Sequence, residues 1–500
     1  MMYISSMRLI NFRSFDGEHY LKFSKGINIF VGENNSGKTT IFKAIEFIQS
    51  GKNKEDWISK NANSDHVSVE IEFSGENIEQ VMELESLRKY QNFISNKGTL
   101  KIMRSSEPGE WVDSKKKIKK LELKNIRCLN PETNQYENPS GIDSTISALF
   151  DAQFVYSDLK NEDYQDFGKT KIVGKLINAI TQDFQKDTAW QKFRQAHKTA
   201  FGEEGIVSVL QGVQNKIEGI LTDQYGKTKV EFDFGLPELE NFFKTGTILL
   251  EENGVKTVAS DKGTGMQRAL ALSLIQVYSE LETNEDNSIS KPLLFFIDEP
   301  ETFLHPQAQN KLLKALERIS TDSQVFITTH SPYLLRSFNK DKHTLKIFSR
   351  NNPMQRIKDD IELNLLPHSP SWGEINYFAF NIPSPEFHNE LFATMLTNLI
   401  DTPFSSNQQR KVTQSLKSLD SWLDEECQEV PKTDETHVNA KNPNDLENKD
   451  LTMPVYIRNY INHPGEIKDD QENNIRLEPT PEELNESIEF MLTLLERRDF

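Results

Sequence analysis

Residues 27–39 read Ile-Asn-Ile-Phe-Val-Gly-Glu-Asn-Asn-Ser-Gly-Lys-Thr. An apolar run of strand length ends on a glycine and a polar loop follows. From Lys38 to about Gln49, the apolar residues Ile41, Ala44, Ile45 and Ile48 then fall on one helical face. The stretch reads as a buried strand, a tight loop and an amphipathic helix. Gly32 to Thr39 fits the pattern GxxxxGK[ST] without a mismatch. Each residue type has a physical task. Gly32 and Gly37 let the loop curl, so that backbone N–H groups around Asn34, Asn35 and Ser36 point inward at phosphate. The helix start, with Thr40 in its first turn, adds the positive end of its dipole. Lys38 supplies a point charge for phosphate, and the Thr39 hydroxyl is a ligand for a divalent cation.

Three further segments extend this reading. Residues 293–306, LLFFIDEPETFLHP, form an apolar strand with Asp298 at its end, where a carboxylate can reach the hydration shell of the cation. Glu299 follows at once and suits a general base that polarises an attacking water. Residues 324–332, QVFITTHSP, form another apolar strand, ending in His330, 31 positions after Glu299. One intervening helix brings that histidine to a neighbouring strand at the same sheet edge. Residues 260–268, Ser-Asp-Lys-Gly-Thr-Gly-Met-Gln-Arg, open a helix near Met266 and make a second anion-attracting helix start.

Taken in order, the four segments resemble the Walker A, signature, Walker B and switch-histidine motifs of ABC-type ATPases. The opening LINFRSF at 9–15, together with DEPETFLHP and THSPYLL, looks like the RecF, SMC and OLD branch of that family. The resemblance implies an α/β fold: an ABC-type P-loop head with a mixed sheet over residues 1–368, split by a mostly helical insertion at about 140–245. A C-terminal helical module would fill 369–500. It further implies ATP and Mg²⁺ as cofactors, with Thr39 and Asp298 on the metal. Glu299 and His330 would be catalytic, the histidine as a γ-phosphate contact. Gly263, Thr264, Gly265 and Gln267 would touch ATP held by another subunit, giving an ATP-sandwiched homodimer or higher oligomer. The segment departs from LSGGQ, which leaves the counterpart of the serine open. Gln153, in DAQFVYSD, is the nearest counterpart of the Q-loop glutamine.

Within the branch, SMC proteins place long coiled coils between the first two motifs. Here Lys38 and Gly263 are 225 positions apart without sustained heptads. OLD and GajA-type nucleases carry a C-terminal Toprim domain, and nothing after residue 350 reads as its acidic motifs. What remains is similar to the stand-alone ATPases of bacterial phage-defence systems such as Septu, PARIS and RloA. That implies a separately encoded nuclease effector as partner. The alternatives are a RecF-like DNA-repair ATPase and a self-contained toxin.

The rest of the chain sets bounds. Its 500 residues, 10% of them aromatic, suffice for two or three cores. No apolar run approaches the ~20 residues of a membrane helix, and Cys128 and Cys427 make neither a disulfide framework nor a zinc site. These features point to a reducing cytoplasm. The net charge is −18, of which −11 lies after residue 400, whereas the first 130 residues sum to +4. DNA is therefore a possible partner of the N-terminal half, with Lys115–Lys120 (KKKIKK) as its best local candidate; the plain alternative is a strand edge guarded by lysines. Alternation predicts strands at 66–73, 99–104, 229–234, 247–251 and 344–348, and helices over most of 170–225 and 266–281. Beyond residue 369, helices are expected at 386–400, 407–425, 455–462 and 481–497, with a polar loop at 430–452. Arg458 and His463 resemble the R-x₄-H pair of HEPN ribonucleases, in which a cation holds the scissile phosphate and an imidazole exchanges protons. The other reading of this module is a structural or partner-binding one.

Overall fold

The computed structural model describes residues 1–113, 115–157, 174, 184, 187–236, 246–284, 291–349, 357–359, 365–432, 437–438, 446–447, 451–463, 467–468, 474–476 and 478–496. The chain opens on β1 (Tyr3–Phe12) and β2 (Phe15–Lys22), paired antiparallel with Leu9 opposite His19. β4 (Ser68–Ser74), β5 (Thr99–Ser105), β8 (Ile126–Asn130) and β9 (Gln135–Glu137) extend them into an antiparallel sheet of order β2-β1-β4-β5-β8-β9. Short α2 (Ile78–Met82) lies between β4 and β5. A separate hairpin, β6 (Gly109–Val112) with β7 (Ile118–Leu121), lies between β5 and β8 in the chain.

The second sheet contains β3 (Ile27–Gly32), β10 (Asp151–Val155), β13 (Leu293–Asp298), β14 (Gln324–Thr329), β15 (His343–Phe348) and β16 (Ile357–Asp359). Its order is β10-β13-β14-β3-β15-β16. Every pair is parallel except β15 with β16. Every residue of β3, β13 and β14 is buried, which is why these strands are continuously apolar rather than alternating. Along β3, Phe30 enters the core shared with the antiparallel sheet and α1 (Thr40–Ser50), while Ile29 and Val31 enter the core on the other face. That second face carries α6 (Thr264–Asn284), α7 (Pro306–Ile319) and the short α8 (Pro332–Leu335). Parallel register puts Gly32, Asp298 and Thr329 at one edge, the edge at which open α/β sheets place their ligands.

Between the sheets' segments lie α3 (Ile142–Leu149), α4 (Thr188–Phe201), α5 (Ile206–Gln224) and the hairpin of β11 (Leu249–Glu252) with β12 (Val255–Val258). The strand expected at 229–234 does not form. Val230 gives its N–H to Glu218 and its C=O to Gln214, so side chains of α5 satisfy the backbone that a strand partner would have taken. The helical reading of 170–186 lies almost entirely outside the described residues.

At the C-terminal end, α9 (Trp372–Phe380) buries Ile375 and Ala379 in the same core as Ile29, and the Trp372 indole donates to the Pro332 carbonyl at 3.0 Å. A third core joins α10 (Pro385–Leu399), α11 (Leu416–Glu426), α12 (Met453–Asn462) and α13 (Pro481–Glu496) through Phe387, Leu391, Leu419, Val455 and Met491. α13 starts as its sequence requires: Thr480 and Glu483 exchange N–H bonds in a capping box. Residues 407–411, expected to be helical, instead form β18 (Asn407–Lys411), paired back on β17 (Pro403–Phe404). Ser405-Ser406-Asn407, just after Pro403-Phe404, turn the chain there, and the helix waits until Leu416. Most of the loop expected at 430–452 lies outside the described residues. Among the described residues, no helix is long and apolar enough to cross a membrane.

Candidate nucleotide-binding site

Gly32 ends β3 with φ +136, and a Cβ there would lie 2.0 Å from the Phe348 carbonyl oxygen. Only glycine permits the loop to leave the sheet between β3 and β15 at this point. The loop then wraps the ammonium of Lys38, which is buried and donates to the carbonyls of Gly32 (2.9 Å) and Glu33 (2.8 Å). Burial pushes the Lys38 pKa down to about 8, against the opposing pull of Glu299 and Asp298. Its charge is thus held close to the sheet edge, where an anion gains most from it.

Asp298 is the hub of the edge. Its Oδ1 accepts hydroxyl protons from Thr39 (3.0 Å) and Thr328 (2.5 Å), and its Oδ2 accepts from Ser157 (3.1 Å). Glu299 follows in the left-handed region, with φ +44, a conformation that costs a non-glycine residue energy and is kept where it serves a site. Its N–H donates to the Thr328 carbonyl, and its Oε2 accepts from Thr302 at 3.2 Å. The Nε2 of His330 stands 3.5 Å from Glu299 Oε1, both side chains being about one-third exposed. Burial first, and Lys38 second, hold the His330 pKa below its ordinary value, so the imidazole is neutral at pH 7.

The cleft of 860 Å³ above this edge is lined by Asn34 to Thr40, Glu299 and His330, and across from them by Arg13, Ser14 and the 55–61 segment. Asn34, Asn35, Ser36, Gly37, Lys38, Thr39, Thr40, Glu299 and His330 are therefore brought together in one cleft. Ser14 and Thr40 share a hydrogen bond of 3.1 Å across the rim. A nucleotide phosphate tail fits this arrangement: a cationic loop, a hydroxyl beside a carboxylate, and an acid–imidazole pair on one side.

The comparisons with known proteins agree with the geometry. Residues 2–335 match the family described as AAA ATPase domain.

The chain belongs to the AAA ATPase domain family.

The chain is similar to the Old nuclease of Escherichia phage P2, with 28% identity over 353 residues, covering 66% of this chain and 57% of that protein. It is similar to endonuclease GajA of Bacillus cereus strain HuB5-5, with 25% identity, covering 67% of this chain and 59% of that one. It is also similar to the DNA replication and repair protein RecF of Clostridium botulinum strain Loch Maree, with 36% identity over 112 residues, 21% of this chain and 29% of that one. The chain thus spans a little over half the length of the first two relatives. The sequence reading set both nuclease types aside on the residues after 350, yet both are relatives over about two thirds of this chain.

Not every expected residue of the ATPase lines the cleft. Gly263, Thr264, Gly265 and Gln267 lie outside it, at the start of α6. Gln267 is buried and donates to the carbonyls of Ser260 and Lys262, so it braces its own loop. A Cβ on Gly263 would meet nothing within 4 Å, while one on Gly265 would come 3.1 Å from the Phe303 carbonyl. Gln153 is also elsewhere: it sits mid-strand in β10 and donates to Asp151 at 2.7 Å. Ser157, past the end of that strand, reaches Asp298 instead. Arg458 lies in the last turns of α12, its guanidinium 3.4 Å from the Asn459 amide oxygen; His463 is the exposed residue that ends that helix.

Four contributors escaped the sequence reading: Ser157, Thr328, Glu301 and Arg268. Glu301 is buried, its Oε1 accepts from the Thr329 hydroxyl (2.6 Å) and the His330 N–H (3.0 Å), and burial raises its pKa. It ties the turn after β13 to the residue that carries the imidazole. The buried Arg268 donates to the carbonyls of Asp298, Glu299 and Ser157, linking the start of α6 to the turn after β13.

Proposed function

We propose that this chain is the ATP-binding and hydrolysing subunit of a bacterial anti-phage defence system, cytoplasmic, and that it regulates an associated nuclease effector. The observation that carries the catalytic half is the Asp298 hub, which joins Thr39, Thr328 and Ser157 beside Lys38 and next to the Glu299–His330 pair. Its oxygen donors, a threonine hydroxyl and a carboxylate 3.0 Å apart, are the hard ligand set that fits Mg²⁺. Thr39 and Asp298 would hold this metal, which would supply positive charge beside the phosphates. Lys38 holds the β- and γ-phosphates. Glu299, steered by Thr302 and His330, accepts the proton of the attacking water, and the neutral His330 donates a hydrogen bond to the γ-phosphate.

In this reading the Gly263–Gln267 segment meets the nucleotide of a second copy, which makes the working unit an ATP-sandwiched homodimer or a higher oligomer. Support comes from its position: it opens a helix, is not part of the lining of its own cleft and is tied to its own Asp298 and Glu299 by Arg268. The defence role draws support from the similarity to the Old nuclease and to endonuclease GajA. The test is a phage challenge of cells carrying the gene with its neighbours. Protection is expected from the wild type and not from Glu299→Gln; equal plating of phage on both would overturn the role. The RecF similarity favours a second reading, a DNA-repair ATPase. Sensitivity to DNA damage on deletion, without any change in phage plating, would select it.

A further inference from the structure

We propose that the hairpin β6–β7 and the elements around it form a groove that binds a single nucleic-acid strand, separate from the ATP cleft. The groove has a volume of 1060 Å³ and lies between this hairpin, the 88–93 turn and the β8–β9 end of the antiparallel sheet. The ATP cleft uses the opposite end of that sheet, at the β1–β2 turn. Lys89, Lys115, Lys117, Lys119, Lys120 and Lys124 line the groove, against the carboxylates Asp113, Glu122 and Glu137. The local balance is +3, on a chain whose net charge is −18. Lys124 pairs with Glu122 at 2.9 Å and Lys119 approaches Asp113 at 4.0 Å. Lys89, Lys115, Lys117 and Lys120 have no carboxylate within ion-pair distance among the described residues. The carboxylates therefore offset only part of the lysine charge, and the remainder favours an anion in the groove.

The groove is also built to hold its shape. Asp113 Oδ1 accepts the N–H groups of Lys115 (2.9 Å) and Lys117 (2.8 Å), which fixes the turn that presents both side chains. At the root of the hairpin the buried Arg127 donates to the carbonyls of Ser105 and Glu107. Trp111 lines the same groove, its backbone opposite Lys119. A cationic channel that tracks phosphates, with an aromatic face for stacking, is the chemistry that recognises single strands: a duplex offers no open base face to the indole. Asn92 lines the groove as a further polar group, while the amides of Asn125 and Asn138 bond to Asp143 and stiffen the wall.

The experiment uses the full chain and a fluorescent oligothymidylate of about 20 nucleotides, long enough to cover one such site. Binding is read by anisotropy from low to moderate salt, with a duplex of equal length alongside. The variants are the combined Lys115→Gln, Lys117→Gln, Lys120→Gln and, separately, Trp111→Ala. None of these residues lines the ATP cleft, so unchanged circular dichroism and unchanged ATP turnover report an intact fold. The triple variant is expected to weaken binding at least about tenfold and to flatten the salt slope by roughly 2, at about 0.7 per phosphate contact. Trp111→Ala is expected to cost about fivefold or more on the single strand and nothing on the duplex. Three results would overturn the assignment: no binding by the wild type, equal affinity and slope in the triple variant, or displacement by polyglutamate as effective as by the oligonucleotide. Binding is read without ATP, so a failure of the hydrolysis mechanism leaves this test unaffected.

Discussion

Two glycine-bearing segments open helices in this chain, and they behave in opposite ways. Gly32–Thr39 leads into α1, sits at the buried edge of the parallel sheet and surrounds a lysine with its own carbonyls. Gly263–Gln267 leads into α6, lies outside that cleft and braces itself through Gln267. By local chemistry alone both are anion sites at helix starts. The difference is topological. The first follows a central parallel strand and inherits Asp298 and Thr328 from its neighbours, whereas the second follows the β11–β12 hairpin and inherits only the link through Arg268. One segment builds a site inside the chain; the other is assigned to complete a site in a second copy.

The comparison can be broken at four points. The largest effect is expected from Glu299→Gln, which keeps the shape of the turn and removes the carboxylate proposed as the base. Turnover should fall about a thousandfold, within the range that general-base removal produces, while ATP affinity stays within about twofold. Single-turnover phosphate release beside equilibrium binding checks this, and a matching loss of affinity would place Glu299 among the binding residues. Lys38→Ala comes next. Removing a buried, charged phosphate donor should cost about a hundredfold in ATP affinity. Equal affinity in this variant and the wild type, measured by calorimetry, would contradict the site assignment.

Gly265→Asp addresses the other segment. Its new Cβ comes 3.1 Å from the Phe303 carbonyl and its carboxylate brings negative charge to the place assigned to a partner's phosphate. ATP affinity of the separate chain should be unchanged, while turnover drops about tenfold or more. A loss of affinity in the isolated chain would move the segment back into its own cleft. The smallest effect is the pH dependence. Burial lowers the Lys38 pKa to about 8, so the ammonium is present below that value and is lost as pH rises through it. kcat/KM should decline on the alkaline side with a midpoint near 8, and His330, held below 6.5, should add only an acid limb under that value. A flat profile from pH 7 to 9.5 would show that Lys38 keeps its proton in the free enzyme.

How much of this was legible in the sequence depends on the range of the contact. The strand, loop and helix around Lys38, the strand ending in Asp298 and the one ending before His330 were readable because each is a local pattern with its own hydrophobic period. Ser157 and Thr328 were not, because register alone brings them to Asp298: Asp298 pairs with Thr328 across β13 and β14, and β10 runs parallel beside them. The same blindness led to Gln153, a plausible residue type on the right strand, four places short of the residue that arrives at Asp298. Residues 229–234 failed for the opposite reason. Their alternation fits a strand, but the amide and carboxylate of α5 were the partners on offer.

The central claim is that the Gly263–Gln267 segment works on the nucleotide of another copy. The direct measurement is ATP turnover in a mixture of Lys38→Ala and Gly265→Asp chains, each impaired alone, at an ATP concentration too low to saturate Lys38→Ala. In every mixed pair one site combines an intact phosphate loop with an intact partner segment, so about one working site per mixed pair should return. A mixture as inactive as its two components, or full turnover by a demonstrated monomer of the wild type, would contradict the account.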